Sequence, residues 1–247
     1  RCNEKLAGKW FHAITQILML SPEELNVLLL SLKVSFWATA CSLPIGLIVA
    51  WILARYEFPG KMLVDGLVHL PLVLPPVVVG YLLLVTLNPN GTIGRIFSQA
   101  GIEIGFTWIG ASVAAAIMAF PLMVRAMRLA FEMIDQRLEL AARTLGASPF
   151  RMLFHISIPL AMPGIMTSTI LAFARCLGEF GATITFVSNI PGETRTLPLA
   201  VYTLTQTPDG EAAAFRLVVI SILIALIALA ISEIITRKAK ARLGDQK

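Results

Sequence analysis

The chain has 247 residues, 57% of them hydrophobic and only 14% charged, with a mean hydropathy of +0.79. Soluble domains carry about 25% charged residues, so this composition excludes an ordinary water-soluble globule. The net charge of +5 does not signal nucleic-acid binding, because the basic residues lie between apolar runs, as membrane topology requires.

Residues 1–21 read as an N-terminal extension. Its KWFHAITQILML segment lacks the charged start and small-residue cleavage pattern of a signal peptide, and its apolar part is too short to span a bilayer. It is either sequence upstream of a start at Met19 or a short interfacial helix. Ser21 followed by Pro22, Glu23 and Glu24 predicts a helix cap with acidic residues in the first turn. Four runs then follow without Asp, Glu, Lys or Arg: 34–54, 66–87, 104–124 and 152–174. A fifth, 212–235, holds only Arg216 and Glu233 near its ends. Each is long enough as a helix, at ~1.5 Å per residue, to cross a hydrocarbon core of ~30 Å. Lipid offers no partners to open backbone groups, and the runs do not alternate as β-barrel strands do. The expected fold is therefore an all-α, polytopic integral membrane bundle of about five transmembrane helices.

Span one is expected from about Leu25 to Ala54, and span two over 62–87, where Pro71, Pro75 and Pro76 must kink or break it. A turn-rich loop, 88–105, leads to span three at about 106–126. Ala111, Ala114, Ala115 and Ala119 there permit close helix approach. Span four runs to about Arg175, and the stretch after it is too polar and broken for one clean span. Twelve of the 20 basic residues fall in 55–61, 125–151 and the tail 237–247. The positive-inside rule makes these segments cytoplasmic, with the N-terminus outside and the C-terminus inside. Cys41 and Cys176 read as small core residues, His69 as a packing residue, and no metal or disulfide spacing is present.

The interval 125–151 is the longest charged one between spans. Within it, Leu138, Ala141, Ala142 and Leu145 form one apolar stripe of a helix at about 135–147, while Glu139 and Arg143 form an i,i+4 pair on the polar face. Gly146 stops that helix, and Ser148 with Pro149 starts the next, which runs into span four. A short helix with an alanine-lined stripe, rigidly joined to a span, reads as a docking lever rather than a plain loop.

The stretch ELAARTLGASPFRMLFHISIPLAMPGI resembles the "EAA" motif of permease subunits of prokaryotic ABC importers. Ala141, Ala142, Gly146, Ile156, Ile158 and Pro159 carry the match, whereas the triplet's acidic position is Leu140 and Glu139 lies one residue earlier. Together with LPLVLPPVVVGYLLL, FPLMVRAMRLAFE, FARCLGEFGATITFVSN and IPGETRTLPLAVYTLTQTP, it looks like the permease subunits of molybdate ABC transporters over roughly 22–236. The resemblance implies a coupling helix that docks on a cytoplasmic ATPase dimer, a second copy completing a homodimeric pore, and an extracytoplasmic molybdate-binding protein. It also implies residence in a prokaryotic inner membrane and import of molybdate or tungstate. ATP and Mg are used by the partner subunits, and no cofactor is expected on this chain, which has no GxxxxGK[ST] motif and no enzymatic constellation. A sulfate or thiosulfate permease of the same family and a stand-alone anion channel are the alternatives.

Arg175 and Glu179 are the only charges between Arg151 and Glu193, and are expected to pair beside the translocation gate. Gly178 and Gly181 would allow bending or close packing there, while Thr183, Thr185 and Ser188 offer hydroxyls. Transient hydroxyl contacts suit a passing oxyanion better than an arginine trap.

Overall fold

The computed structural model describes residues 20–244 except 89, 90, 92, 93, 100 and 102, with side chains as far as Arg237. The readings of residues 1–19 and of the distal tail lie outside the described residues. Among the described residues, eleven α-helices follow in order: α1 Pro22–Arg55, α2 Lys61–Val73, α3 Pro76–Leu87, α4 Gly94–Gln99, α5 Trp108–Glu132, α6 Gln136–Thr144, α7 Pro149–Met152, α8 Ile158–Leu177, α9 Gly181–Val187, α10 Leu197–Thr205 and α11 Glu211–Gly244. A π-helical turn, Leu153–Ser157, joins α7 to α8. No strand occurs among the described residues.

Among the described residues, four helical stretches are long and apolar enough to cross a membrane: α1, α5, the continuous Pro149–Leu177 segment and Glu211–Arg237. Helices α2 and α3 make a fifth span only as a pair bent by 111°. The prolines of span two thus break it rather than kink it. Pro75 and Pro76 carry no N–H, so the break leaves no donor unpaired at those two positions. The carbonyl of Pro75 accepts from Val78 N at 2.9 Å and restarts the helix.

Helix α1 starts as its sequence predicts. Ser21 and Glu24 form a capping box, with each side chain bonded to the other's backbone N–H. Glu24 does more than cap, because it also accepts from Arg216 of α11 at 2.7 and 3.0 Å. At ~1.5 Å per residue the 34-residue α1 is about 51 Å long, well beyond a ~30 Å core. Part of the helix therefore extends beyond the hydrocarbon. Lys33 has its ammonium 3.7 Å from the ring centroid of Trp108, the first residue of α5.

Helix α5 is the central post, packed against α1 on one side and α8 on the other. It is longer than expected, running to Glu132. Its Ala111, Ala114, Ala115 and Ala119 are fully buried, so backbones rather than long side chains meet there. Helix α11 packs on α8 and α10 but leaves most of its most apolar stretch uncovered, with 11% of it buried. That surface belongs to lipid or to another chain. Cys176 is buried, as expected, with its Sγ 3.5 Å from the Ala115 carbonyl. Cys41 corrects the expectation of a core cysteine: it is exposed on α1, in an open groove lined also by Leu67 and Pro71 of α2 and by Ala116 and Phe120 of α5. His69 is held by the Asp65 carbonyl at 2.8 Å. The loop expected over 88–105 contains the short helix α4.

The second half of the broken span meets the segment that follows span four. Helix α3 packs across α9, the short helix that follows the end of α8. A Cβ at Gly80 would stand 2.6 Å from the Ala182 carbonyl oxygen and 2.8 Å from the Thr185 Cβ, and one at Gly181 would stand 2.8 Å from the Pro76 Cβ. Gly66 of α2, by contrast, has nothing within 4 Å of its Cβ position. Alanine raises helix stability over glycine by about 1 kcal/mol when nothing obstructs it, whereas overpacking costs about 1–3 kcal/mol. Gly66→Ala should therefore raise the melting temperature of the detergent-solubilised protein and Gly80→Ala should lower it, by roughly 2–5 °C in each direction. A rise in both would show that the α3–α9 crossing does not need its glycine.

Candidate functional site

The first part of the site is α6 and the turns that hold it. Asp135 caps the helix, accepting from Arg137 N at 2.9 Å. At the other end Gly146 adopts φ +81°, a left-handed conformation that costs glycine little, and Ala147 N bonds back to the Ala142 carbonyl at 3.0 Å. Ser148 accepts from Arg151 N at 3.3 Å, with Pro149 in the first helical position of α7. The stop and the restart form at the residues the sequence indicates.

The apolar stripe faces outward. Leu138 is 50% exposed and Leu145 88% exposed, Ala141 is exposed and Ala142 half-buried. Arg143, Gly146, Ser148 and Pro149 lie on the surface as well. The buried residue of this helix is Glu139. This corrects the local pairing expected with Arg143. The carboxylate lies inside, 2.9 Å from Arg55 Nε at the end of α1, and accepts from Ser157 Oγ at 2.8 Å. Arg55 Nη2 also donates to the Ile134 carbonyl in the turn before α6, at 3.4 Å. The side chains of Arg55 and Glu139 are 4% and 7% exposed. Burial favours this arrangement over the i,i+4 pair: an exposed pair with Arg143 contributes only about 0.2–0.5 kcal/mol, whereas a buried carboxylate demands a full set of partners.

Neither Arg55 nor Ser157 stood out in the sequence as a partner of this helix. Arg55 sits 84 positions away, and no local spacing links it to Glu139. Ser157 is fully buried at the end of the π-turn, in which the Ile158 N–H reaches the Leu153 carbonyl.

The second part lies where α8 ends. Helix α8 stops at Leu177, before Glu179, yet the expected pair forms, with Arg175 Nη1 2.7 Å from Glu179 Oε2. Glu179 is buried, and its Oε1 accepts from Ala182 N at 3.0 Å in the first turn of α9. One carboxylate thus joins a guanidinium in the last turn of α8 to the positive end of α9. Gly178 ends α8 at an ordinary φ of −91°, with no close neighbour at its Cβ position, so of the bending or close packing expected at the two glycines, the close packing is found at Gly181. Gly80, missed in the sequence reading, is its counterpart; a lone glycine in VVVGYLLL was the available signal.

Thr183 is buried and Thr185 donates to the Gly181 carbonyl at 2.9 Å, which leaves Ser188 as the exposed hydroxyl of the three. Ser188 has φ 64° and ψ −158°, a region otherwise used almost only by glycine. Its carbonyl accepts from Thr194 Oγ1 at 3.3 Å, and the same hydroxyl accepts from Ile190 N at 2.8 Å, which pins the loop after α9.

The Arg55–Glu139 pair yields a stability test. Glu139→Ala strands a buried guanidinium and should destabilise the protein by about 3–5 kcal/mol, seen as a lower melting temperature in detergent. The double variant Arg55→Met, Glu139→Leu removes both charges and should recover most of that loss. Equal melting temperatures for the two variants would contradict a buried, mutually dependent pair.

Three comparisons place this architecture. The family model described as "Binding-protein-dependent transport system inner membrane component" matches residues 42–241. The chain is 59% identical to the molybdenum transport system permease protein ModB of Escherichia coli (strain K12), over 92% of this chain and 100% of that protein. Similarity to the "Probable sulfate transport system permease protein cysT" of Chlorokybus atmophyticus is lower, 37% over 73% of this chain and 63% of that protein. Among solved structures, the bacterial alginate ABC transporter in complex with alginate pentasaccharide-bound periplasmic protein includes a chain with the same fold: TM-score 0.69, 18% identity, 90% of this chain and 82% of that one covered. Matched over residues 42–241, and with four apolar spans and a broken fifth among its described residues, the chain belongs to the family of binding-protein-dependent transport system inner membrane components.

Proposed function

We propose that this chain is the membrane-embedded translocation subunit of an ATP-driven molybdate importer. The observation that carries the substrate is the end-to-end match to a molybdenum permease, against a partial match to a sulfate one. A sulfate permease of the same mechanism is accordingly the weaker reading, and a stand-alone channel would leave α6 without a purpose. Tungstate, a tetrahedral dianion of the same kind, belongs to the same substrate class.

The chain works as one half of a homodimer, with the N-terminus outside and the C-terminus in the cytoplasm. The basic residues of 125–151 and of the tail support this orientation. Two ATPase subunits dock on the α6 helices of the two copies, and a binding protein delivers the oxyanion on the opposite face. The chain itself performs no hydrolysis; ATP and Mg act in the partner subunits. The outward stripe of Leu138, Ala141, Ala142 and Leu145 supports the docking role, because contiguous exposed apolar side chains mark a surface that another protein covers.

ATP-driven closure of the ATPases moves the two α6 helices, and access alternates between the two membrane faces. The gate lies where α3 crosses α9, with Arg175 and Glu179 holding the end of α8 to the start of α9. Gly181 allows the crossing, and Gly178, Thr183 and Ser188 line the same short segment. A dianion passing this point meets weak, replaceable donors, because a tightly binding cationic site would slow its release.

Leu145→Glu places a charge in the docking stripe without touching the bundle. It should leave the melting temperature unchanged, abolish co-purification of the cognate ATPase and stop uptake of labelled molybdate in proteoliposomes. Unlabelled tungstate should compete with that uptake, and sulfate at equal concentration should not. ATPase retention by the variant would refute the docking role, and competition by sulfate would refute the substrate.

A further inference from the structure

Helix α6 is nine residues long and is tied to the bundle by two short turns, one of which contains the left-handed Gly146. Of its side chains, only Glu139 is buried. A force applied to the exposed Leu138 and Leu145 face can therefore reach the spans by two routes. It can pass through the two turns, which would let a short helix pivot, or through the Glu139 carboxylate. That carboxylate contacts the end of α1 through Arg55 and the start of span four through Ser157. Arg55 in turn holds the Ile134 carbonyl, in the turn that joins α5 to α6. The three side chains thus connect α1, the α5–α6 turn, α6 and the foot of the α8 span at one buried point.

The π-turn belongs to this arrangement. Along α8 the buried face reads Ser157, Ala161, Ile165, Ser168, Ala172 and Cys176, at steps of three or four residues. Met152 and Leu153 are both buried, five and four residues before the buried Ser157, and the π-turn Leu153–Ser157 carries this face from α7 into α8. π-turns within α-helices are uncommon and concentrate at functional positions.

We propose that Arg55, Glu139 and Ser157 are positioning residues that clamp the docking helix to spans one and four, so that displacement of α6 is delivered to both spans together. The clamp rests on the reading of α6 as the ATPase-docking helix. It does not contact the oxyanion or the nucleotide; it sets how much of the ATPase movement becomes movement of the spans.

The test uses the full complex of permease, cognate ATPase and binding protein in proteoliposomes, and reads molybdate transported per ATP hydrolysed. Ser157→Ala and the double variant Arg55→Met, Glu139→Leu both keep a filled interior. Each should retain the ATPase on purification and hydrolyse ATP, while transport per ATP falls about fivefold. An unchanged ratio in the double variant with the ATPase retained overturns the clamp and leaves the docking reading intact. A fall confined to the double variant removes Ser157 and the π-turn from it. Failure of the wild-type chain to retain the ATPase overturns the docking reading and the clamp with it.

Discussion

In a bilayer every backbone polar group has to be satisfied within the protein, so a span can be interrupted only where the chain itself covers the interruption. This chain breaks one span at Leu74–Pro75 and ends another at Leu177, and packs the short helices that follow, α3 and α9, against each other. Each of these interruptions of the helix is covered by the segment that follows the other. The prolines limit the donors exposed on one side, and the Glu179 carboxylate receives an orphan N–H on the other. Glycine at positions 80 and 181 then follows as a requirement of distance, since a Cβ at either would fall inside van der Waals contact. The rest of the bundle, with its long unbroken α1, α5 and α11, is the wall that makes such a pair of interruptions tolerable.

Interior polarity is concentrated at a few points, each with a mechanical consequence. Glu24 binds Arg216, which ties the first turn of α1 to α11. Glu179 binds Arg175 across the junction of α8 and α9. Glu139 binds Arg55 where α1 ends and span four begins. In each case one carboxylate also accepts from a backbone N–H or a hydroxyl, so its lone pairs are shared between two or more elements. Buried ion pairs are poor sources of net stability compared with apolar replacements of the same size. What they provide is a fixed register between helices whose apolar faces would otherwise slide, and registers are what a moving membrane protein has to control.

Much of this was legible from residue order. The apolar runs located the spans, Ser21 with Glu24 located the start of α1, and Gly146 with Ser148 and Pro149 located the elbow after α6, because each of these signals acts within four residues. The alanines of α5 announced close packing for the same reason. The destination of Glu139 was not legible. Local periodicity offered Arg143 as its partner, and the partner it has lies at the end of another span. The π-turn was hidden as well, since one extra residue in a helical turn changes no composition and shows only as a register shift once the buried faces of α7 and α8 are compared. Gly80 stood in view within an apolar run, but the residue that makes it necessary, Ala182, lies on a segment 102 positions later.

Helix α6 carries the inverse of the pattern expected of a surface helix in a self-contained protein. A soluble helix turns its leucines inward and its carboxylates outward. Here the carboxylate is inside and Leu138 and Leu145 are outside. The inversion costs the isolated chain twice, once for desolvating Glu139 and once for hydrating the stripe. The first cost is met within the chain by Arg55 and Ser157. The second has no remedy within the described residues and is relieved only when another surface covers the stripe. The same nine residues are thus firmly held on one side and unfinished on the other. A helix built to be pushed needs both properties: a face that a partner can grip, and a grip of its own on what has to move.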